Sequence, residues 1–238
     1  MNALVLILAV VISFPFCAFR RKKYNITLPC MFLVYIAFSI NGAIGASIGS
    51  YLASGYIAGK RLYGLILFDA ILIIIMSKLL KIETGRLGDF VAIPLIVTCF
   101  SSKIDCLIKG CCYGITIGYS ASNDYILFPS ALLEMFIWLL LALFLLVLEK
   151  KSYVKDLLWP IAMIWFGILR FVVDFFRGSP SENKVYLFGM TGGCFWSLIV
   201  FVFGCIFLYF SIRYKIKRNP KIIELLKSII GANYIIQQ

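Results

Sequence analysis

Seven stretches of mainly apolar residues run through the chain, each close to the roughly 20 residues that a helix needs to cross a bilayer. Hydrophobic residues make up 62% of the 238 residues and charged residues 14%, whereas a soluble domain is about half apolar and a quarter charged. The sequence therefore predicts an all-α integral membrane protein and excludes a secreted disulfide scaffold, a disordered chain and an ordinary cytosolic enzyme. The predicted spans are 3–19, 28–53, 62–80, 88–108, 129–148, 157–176 and 187–212.

The positions of the basic residues predict how this bundle lies in the membrane. Sixteen of the 23 Lys and Arg residues follow spans one, three, five and seven, six lie on the other connections, and Arg170 lies within a span. Basic residues concentrate on cytoplasmic connections, so we expect the N-terminus outside and the C-terminus inside. The net charge of +12 then reflects topology, and we predict no nucleic-acid partner.

This topology gives one transmembrane domain, 1–212, and a basic cytoplasmic tail, 213–238, with a short amphipathic helix at 220–231. The first span has its positive charges after the apolar stretch rather than before it, which favours a retained helix over a signal peptide. We expect span four to be interrupted at Pro94 and at the polar residues 101–105.

Four ionisable residues lie inside predicted spans, where each costs several kcal/mol unless it is paired or hydrated: Asp69, Glu134, Arg170 and Asp174. Arg170, Asp174 and Arg177 share one helix face because they are four and three residues apart. They form either a structural ion pair or an anion site, since a guanidinium binds phosphate through two hydrogen bonds. Glu134 is either a charge that complements a helix start or a functional carboxylate.

Two further patterns leave alternatives open. The small residues of 41–49 favour close helix packing, with Gly45 and Gly49 four apart, although bare backbone would also admit a lipid or peptide. Cys106, Cys111 and Cys112 would form a disulfide, a metal site or simple packing. The chain has no histidine, which argues against zinc, so we predict no metal and no cofactor. The long outward connection, 109–128, suits a binding or lid element.

Three segments resemble the prolipoprotein diacylglyceryl transferase family. Residues 102–114, which end in Gly-Cys-Cys-Tyr-Gly, resemble its Gly-Arg-x-Gly-x-Phe-x-Asn-Gly signature. Residues 129–134 resemble its Pro-Ser-Gln-Leu-Tyr-Glu, and residues 170–177 resemble its Arg-Phe-x-x-Glu-Phe-Phe-Arg. Residues 85–90 spell the signature more literally, but the charge pattern places them on the cytoplasmic side. The resemblance spans roughly 35–210.

The resemblance implies transfer of a diacylglyceryl group from phosphatidylglycerol to the lipobox cysteine of a prolipoprotein, at the outer leaflet of the bacterial cytoplasmic membrane. The implied partners are phosphatidylglycerol, a prolipoprotein signal peptide and membrane lipids. The implied catalytic residues are Glu134, Arg170 and Asp174. The implied substrate-binding residues are Lys103, Arg177, Asn41, Gly42, Gly110 and Tyr113.

The chain departs from the family pattern at several of these positions. Lys103 occupies the position of the signature arginine, and the family's histidine before the glycine-rich segment is absent. Without histidine, a carboxylate would have to take the thiol proton, or a cationic site would have to lower the pKa of the thiol. The alternative is a divergent lipid-binding or transport protein that catalyses no transfer or has another specificity. The departing positions are Lys103, Asp105, Lys109, Asp174 and, near the missing histidine, Ile40 or Asn41.

Overall fold

The computed structural model describes residues 13–54, 62–110, 112, 114–120, 125–177 and 190–218. The first described segment, 13–20, is helical and is named α1. Six helices follow: α2 Leu28–Ser54, α3 Leu62–Leu79, α4 Thr84–Ile108, α5 Ser130–Leu148, α6 Leu158–Asp174 and α7 Gly192–Arg218. A hairpin of β1 Thr116–Tyr119 and β2 Tyr125–Leu127 joins α4 to α5, and a 3-10 turn, Ser152–Val154, precedes α6.

Five of these helices, α2, α3, α4, α5 and α7, are long and apolar enough to cross a membrane. The prediction of an all-α multi-pass membrane protein is confirmed. Most of the predicted first span and the predicted tail helix at 220–231 lie outside the described residues. Helix α7 continues six residues past its predicted end, because nothing between 213 and 218 breaks the helix.

Helix pairing builds the bundle: α2 packs on α3, α4 on α5, and α6 on α7. Glycine allows the closest of these contacts. A side chain at Gly64 of α3 would overlap the Gly45 carbonyl of α2, and one at Gly167 of α6 would lie 2.8 Å from the Ser197 carbonyl of α7. The packing interpretation of the small residues in α2 is therefore confirmed.

Helix α4 is continuous from Thr84 to Ile108, so the predicted interruption of span four is wrong. Pro94 has no N–H to donate to the Phe90 carbonyl four residues earlier. Arg20 of α1 supplies the missing donor, from Nη1 to the Phe90 oxygen at 2.6 Å. Two hydroxyls bond back within the helix, Thr98 to the Pro94 carbonyl and Ser101 to the Val97 carbonyl. The hydroxyl groups thus find partners within the helix, the carbonyl opposite Pro94 is satisfied from α1, and Lys103 pairs with Glu134 of α5.

The basic connections predicted to be cytoplasmic meet at one end of the bundle. Arg20 pairs with Glu149, which follows α5, at 2.6 Å. Lys215 of α7 donates to the carbonyls of Tyr153 and Lys155 in the turn before α6. The β-hairpin lies beyond the other ends of α4 and α5. The basic connections and the hairpin therefore lie at opposite ends of the bundle, which agrees with the alternation of the basic residues along the sequence.

Candidate active site

Glu134 lies at the centre of a buried charged cluster near the hairpin end of the bundle. Its carboxylate is fully buried and has three cationic neighbours among the described side chains. Lys103 Nζ lies 2.8 Å from Oε2, Arg170 Nη1 lies 3.5 Å from Oε1, and Arg177 Nη1 lies 3.8 Å from Oε1. We call Lys103, Arg170 and Arg177 the outer cation cluster. The structure thus brings together four of the predicted site residues.

The up-and-down course of the chain explains this meeting of distant residues. Lys103 lies near the end of α4 and Glu134 in the second turn of α5, and consecutive helices connected in this way bring such ends together. Arg170 lies one turn before the end of α6. Arg177 follows α6 and pairs with Gly114 of the hairpin connection through an antiparallel bridge. The site is therefore assembled from α4, α5, α6 and the connection between α4 and α5.

Asp174 links this cluster to the start of α7. Its Oδ1 lies 3.8 Å from Arg170 Nη2, and its Oδ2 accepts a hydrogen bond from the Thr191 hydroxyl. Thr191 also accepts the backbone N–H of Cys194 at 3.2 Å, which caps α7. A side chain at Gly193 would overlap the Asp174 carboxylate. Asp174 therefore has a structural contact with α7 as well as its charge contact with Arg170.

The connection after α4 is held against the cluster by backbone contacts. Gly110 ends the helix with a φ of 59°, a left-handed conformation that glycine adopts readily. The Gly114 N–H donates to the Phe128 carbonyl at 2.7 Å, and the Ile115 N–H donates to the Phe176 carbonyl at 3.1 Å. These bonds fix the predicted binding loop 109–128 to the end of α6. Tyr113, a predicted substrate-binding residue, lies outside the described residues.

Cys112 lies in this connection with its sulfur next to the cations. Its Sγ is 3.5 Å from Arg177 Nη2 and 3.5 Å from the Sγ of Cys106, which is also a thiol. The Ser130 hydroxyl donates to the Cys112 carbonyl at 2.5 Å. The hydrogen bond with Cys106 and the charges of Lys103 and Arg177 outweigh burial and lower the pKa of Cys112 to about 5.

The sequence left a disulfide, a metal site or simple packing open for Cys106, Cys111 and Cys112, and the structure describes two of these residues. Cys106 and Cys112 are in contact without a disulfide bond between them, whereas Cys111 lies outside the described residues. Among the side chains that the structure describes, no three His, Cys, Asp or Glu residues are grouped as metal ligands.

Asn41 and Gly42 lie in the interface between α2 and α3. The Asn41 amide donates to the Asp69 carboxylate at 2.8 Å, and a side chain at Gly42 would lie 3.2 Å from Leu65 and 3.7 Å from Asp69. This buried pair explains how Asp69, singled out as an ionisable residue within a span, is accommodated. The substrate-binding roles of Asn41, Gly42 and Gly110 stay predictions.

Sequence reasoning missed three contacts that shape the site: the hydroxyl of Ser130 on Cys112, the hydroxyl of Thr191 on Asp174, and the sulfur of Cys112 on Arg177. Ser130 directly follows Pro129 at a helix start, and Thr191 precedes two glycines at another. Both are positions where a short hydroxyl commonly bonds backbone. Ser130 belongs to the segment 129–134 that resembles the family, but the sequence did not indicate which atoms either hydroxyl contacts.

The balance of charge defines what the arrangement can bind. Among the described side chains, three cations face two carboxylates, Glu134 and Asp174, which leaves one positive charge for the Cys112 thiolate or a bound anion to balance. The Arg177 side chain is the most accessible of the three cations, at 19% exposed. A guanidinium at the edge of such a cluster suits a phosphate group, which it contacts through two parallel hydrogen bonds.

Comparison with known proteins identifies the family. The model of the prolipoprotein diacylglyceryl transferase family matches residues 2–210. Relatives named phosphatidylglycerol–prolipoprotein diacylglyceryl transferase occur in Clostridium tetani, 28% identical over 63% of this chain and 64% of the relative, and in Helicobacter pylori, 29% identical over 75% and 59%. A relative in Clostridium perfringens, named with the suffix 2, is 30% identical over 52% of this chain and 53% of its own length.

The chain thus spans less than two thirds of the length of each of these relatives. The family model nevertheless covers nearly all of the described helices and includes the outer cation cluster, Glu134 and Asp174. The chain belongs to the prolipoprotein diacylglyceryl transferase family.

Proposed function

We propose that this protein transfers the diacylglyceryl group of phosphatidylglycerol to the cysteine thiol of a prolipoprotein signal peptide. The observation that carries the proposal is the outer cation cluster around the buried Glu134 carboxylate. The names of the relatives, which specify this donor and this acceptor, support it. The product is a thioether, and the released group is glycerol phosphate.

The donor phosphate binds at Arg177 and Lys103, with Arg170 behind them. As the bond between the glyceryl carbon and the phosphate oxygen breaks, negative charge grows on the leaving phosphate. Cations already fixed in a buried site stabilise that charge without the cost of reorganising water. Glu134 holds the cations in place because it contacts all three at distances of 2.8–3.8 Å.

The acceptor must react as a thiolate, which is the nucleophilic form of cysteine. The chain has no histidine to take the proton, so the cationic surroundings favour loss of the proton to water before attack. The behaviour of Cys112 supports this step, because Lys103 and Arg177 add to the effect of Cys106 in lowering its pKa to about 5. The thiolate then forms the carbon–sulfur bond as the phosphate leaves with the electron pair of the carbon–oxygen bond.

Both substrates are amphipathic, so they reach the site along the bilayer. The charge pattern of the connections supports an orientation with the hairpin end outside, which puts the outer cation cluster near the outer leaflet. We therefore propose the bacterial cytoplasmic membrane as the location, with lipid and signal peptide entering from that leaflet.

The test is transfer by the purified protein in vesicles that contain phosphatidylglycerol labelled in its acyl chains. The acceptor is a lipobox peptide, and the matched control is the same peptide with serine in place of cysteine. We expect a thioether-linked, labelled peptide by mass spectrometry with cysteine only. Tight lipid binding without any product would favour the lipid-binding alternative instead.

Lys103→Arg distinguishes a weakened transferase from one with a different donor. If phosphatidylglycerol is the donor, the arginine adds a second hydrogen bond to the phosphate and raises the transfer rate. An unchanged or lower rate, with the same melting temperature, would point to another donor.

A further inference from the structure

Cys106 and Cys112 lie next to each other where α4 meets the connection to the hairpin. Their Sγ atoms are 3.5 Å apart, so a movement of about 1.5 Å would bring them to the length of a disulfide bond. Cys106 lies in the last turn of α4, and Cys112 has a φ of 63°. The Ser130 hydroxyl holds the Cys112 carbonyl, which keeps the sulfur turned toward Cys106 and Arg177.

Reactivity in such a pair requires a thiolate and an accessible position. Cys112 is half-buried and lies outside the membrane-spanning helices. Its hydrogen bond with Cys106 and the charges of Lys103 and Arg177 lower its pKa to about 5. Burial and the charge of Glu134 raise the pKa but are outweighed. Cys112 is therefore largely a thiolate at neutral pH, which is the form that attacks disulfides.

We propose that Cys106 and Cys112 are a redox-active dithiol that a small-molecule disulfide or a thiol–disulfide oxidoreductase oxidises to an intramolecular disulfide. Nothing in the transferase chemistry requires this reaction. An outer-face position, as the charge pattern predicts, would place the pair in a compartment where disulfides persist.

The oxidation proceeds in two exchanges. The Cys112 thiolate attacks one sulfur of the oxidant, forms a mixed disulfide and releases the other sulfur as a thiol. Cys106 then loses its proton and attacks the Cys112 sulfur, forming the intramolecular bond and releasing the second oxidant thiol. The two cysteines lose two electrons and the oxidant disulfide gains them, with the protons ending on the two released thiols.

Oxidation also changes the charge around Arg177. Among the described side chains, the thiolate of Cys112 is the third anion of the cluster, and it balances the positive charge that Glu134 and Asp174 leave over. A disulfide carries no charge, so Arg177 regains its excess charge for an anionic headgroup. This consequence rests on the proposed function, and we expect the oxidised protein to bind phosphatidylglycerol about twofold to fivefold more tightly, the size of one partly exposed ion pair.

The decisive experiment maps the disulfide in full-length protein in detergent micelles. The protein is treated with oxidised glutathione, its remaining thiols are alkylated with iodoacetamide, and its peptides are analysed by mass spectrometry. We expect Cys106 and Cys112 joined in one peptide that is lighter by two hydrogen atoms and carries no label at these positions. Reduction before alkylation should restore labelling at both.

Three serine variants sharpen the result. Cys111→Ser should still form the disulfide, whereas Cys106→Ser should stop at a mixed disulfide with glutathione on Cys112. Cys112→Ser should form neither. Full labelling of Cys106 and Cys112 after oxidation, or a bond from Cys106 to Cys111, would overturn the proposal.

The effect of oxidation on lipid affinity is measured by binding and not by transfer. A negative result for lipid affinity can then be told apart from a negative result for the disulfide or for transfer. Oxidised and reduced protein are titrated with nanodiscs of phosphatidylglycerol and of a zwitterionic lipid. Tighter binding on oxidation, absent in Cys112→Ser, supports the effect on Arg177. If the disulfide forms but oxidised and reduced protein bind phosphatidylglycerol equally, the redox pair is established and the proposed effect of oxidation on Arg177 is wrong.

Discussion

At the scale of single residues, the site depends on how Glu134 is surrounded. The contact between Arg170 and Asp174 could be predicted, because residues four apart on a helix face each other. Lys103 and Glu134 are 31 positions apart, and only the resemblance to a family indicated that they serve one site. The Cys112 contacts depend on a positive φ and on a backbone bond from Ser130, which sequence patterns do not reveal.

Substitutions of Arg170 separate the effect of its positive charge from the effect of the two-sided geometry of its guanidinium. Its Nη1 contacts Glu134 and its Nη2 contacts Asp174, and a single ammonium cannot reproduce both contacts. We expect Arg170→Lys to remain folded in detergent and to lose about 10²-fold in transfer rate. Arg170→Ala should instead lower stability by about 3–5 kcal/mol, because it leaves two buried carboxylates short of a partner. Thermal melting beside the transfer assay separates these effects, and normal transfer by Arg170→Lys would exclude a bidentate role.

At the scale of helices, contacts between elements decide what the sequence leaves open. Pro94 predicted a break in α4, yet the Arg20 guanidinium satisfies the carbonyl that the proline leaves without a donor. Asp89 of α4 likewise accepts the backbone N–H groups of Asp156 and Leu158 and so fixes the start of α6. Each solution joins residues about 70 positions apart, so local propensity could not reveal it.

The contact between α2 and α3 depends on glycine at position 64. A methyl group there would overlap the Gly45 carbonyl and lie 3.0 Å from the Gly49 Cα, and backbone atoms cannot move aside as a side chain can. We expect Gly64→Ala to destabilise the protein by about 1–3 kcal/mol, as overpacking does elsewhere. Gly118→Ala is the matched control, because its nearest neighbour would be 3.9 Å away. Equal melting temperatures for the two variants would contradict this account of the interface.

The buried pair of Arg20 and Glu149 makes stability depend on pH at the other end of the bundle. Burial raises the pKa of Glu149, but hydrogen bonds and charge from Arg20 outweigh it and lower the pKa below its ordinary value. Folding therefore favours the charged carboxylate. The resulting stability is present above the unfolded pKa of about 4.3 and is lost as pH falls through the lower folded pKa.

This pH dependence of stability is tested by melting temperatures in detergent, measured from neutral pH to about pH 3, which lies below the unfolded pKa of a glutamate. Glu149→Gln should melt lower at neutral pH and lose less stability on acidification than the wild type. Parallel curves for the two proteins would show that Glu149 does not contribute to the acid sensitivity.

At the scale of the whole molecule, the predicted spans agree with the described helices because apolar length is a property of the sequence itself. The connections that carry most of the basic residues meet at one end of the bundle, as their alternation along the sequence requires. The arrangement of the helices around one another was not predictable, because it depends on close contacts such as those at Gly167 and Gly193. The hairpin between α4 and α5 was anticipated only as a long connection.

The orientation of the molecule in the membrane stays a prediction that labelling can test. Single cysteines at positions 2 and 235, introduced into a variant whose native cysteines are replaced, should differ in access from outside intact cells. We expect a membrane-impermeant maleimide to label position 2 only. Labelling of the tail from outside would reverse the map and place the outer cation cluster at the cytoplasmic leaflet.

We propose that the outer cation cluster stabilises the leaving phosphate during transfer. The Arg177→Gln variant isolates this effect, because the side chain is partly exposed and its loss leaves Glu134 paired with Lys103 and Arg170. Arg86→Gln is the matched control, since Arg86 is partly exposed and, in the described part of the chain, pairs with Glu83 near the start of α4, away from the outer cation cluster. We expect a transfer rate about 10²-fold lower for Arg177→Gln, with the melting temperature of the wild type, and no change in rate for Arg86→Gln. Equal rates for wild type and Arg177→Gln would contradict it.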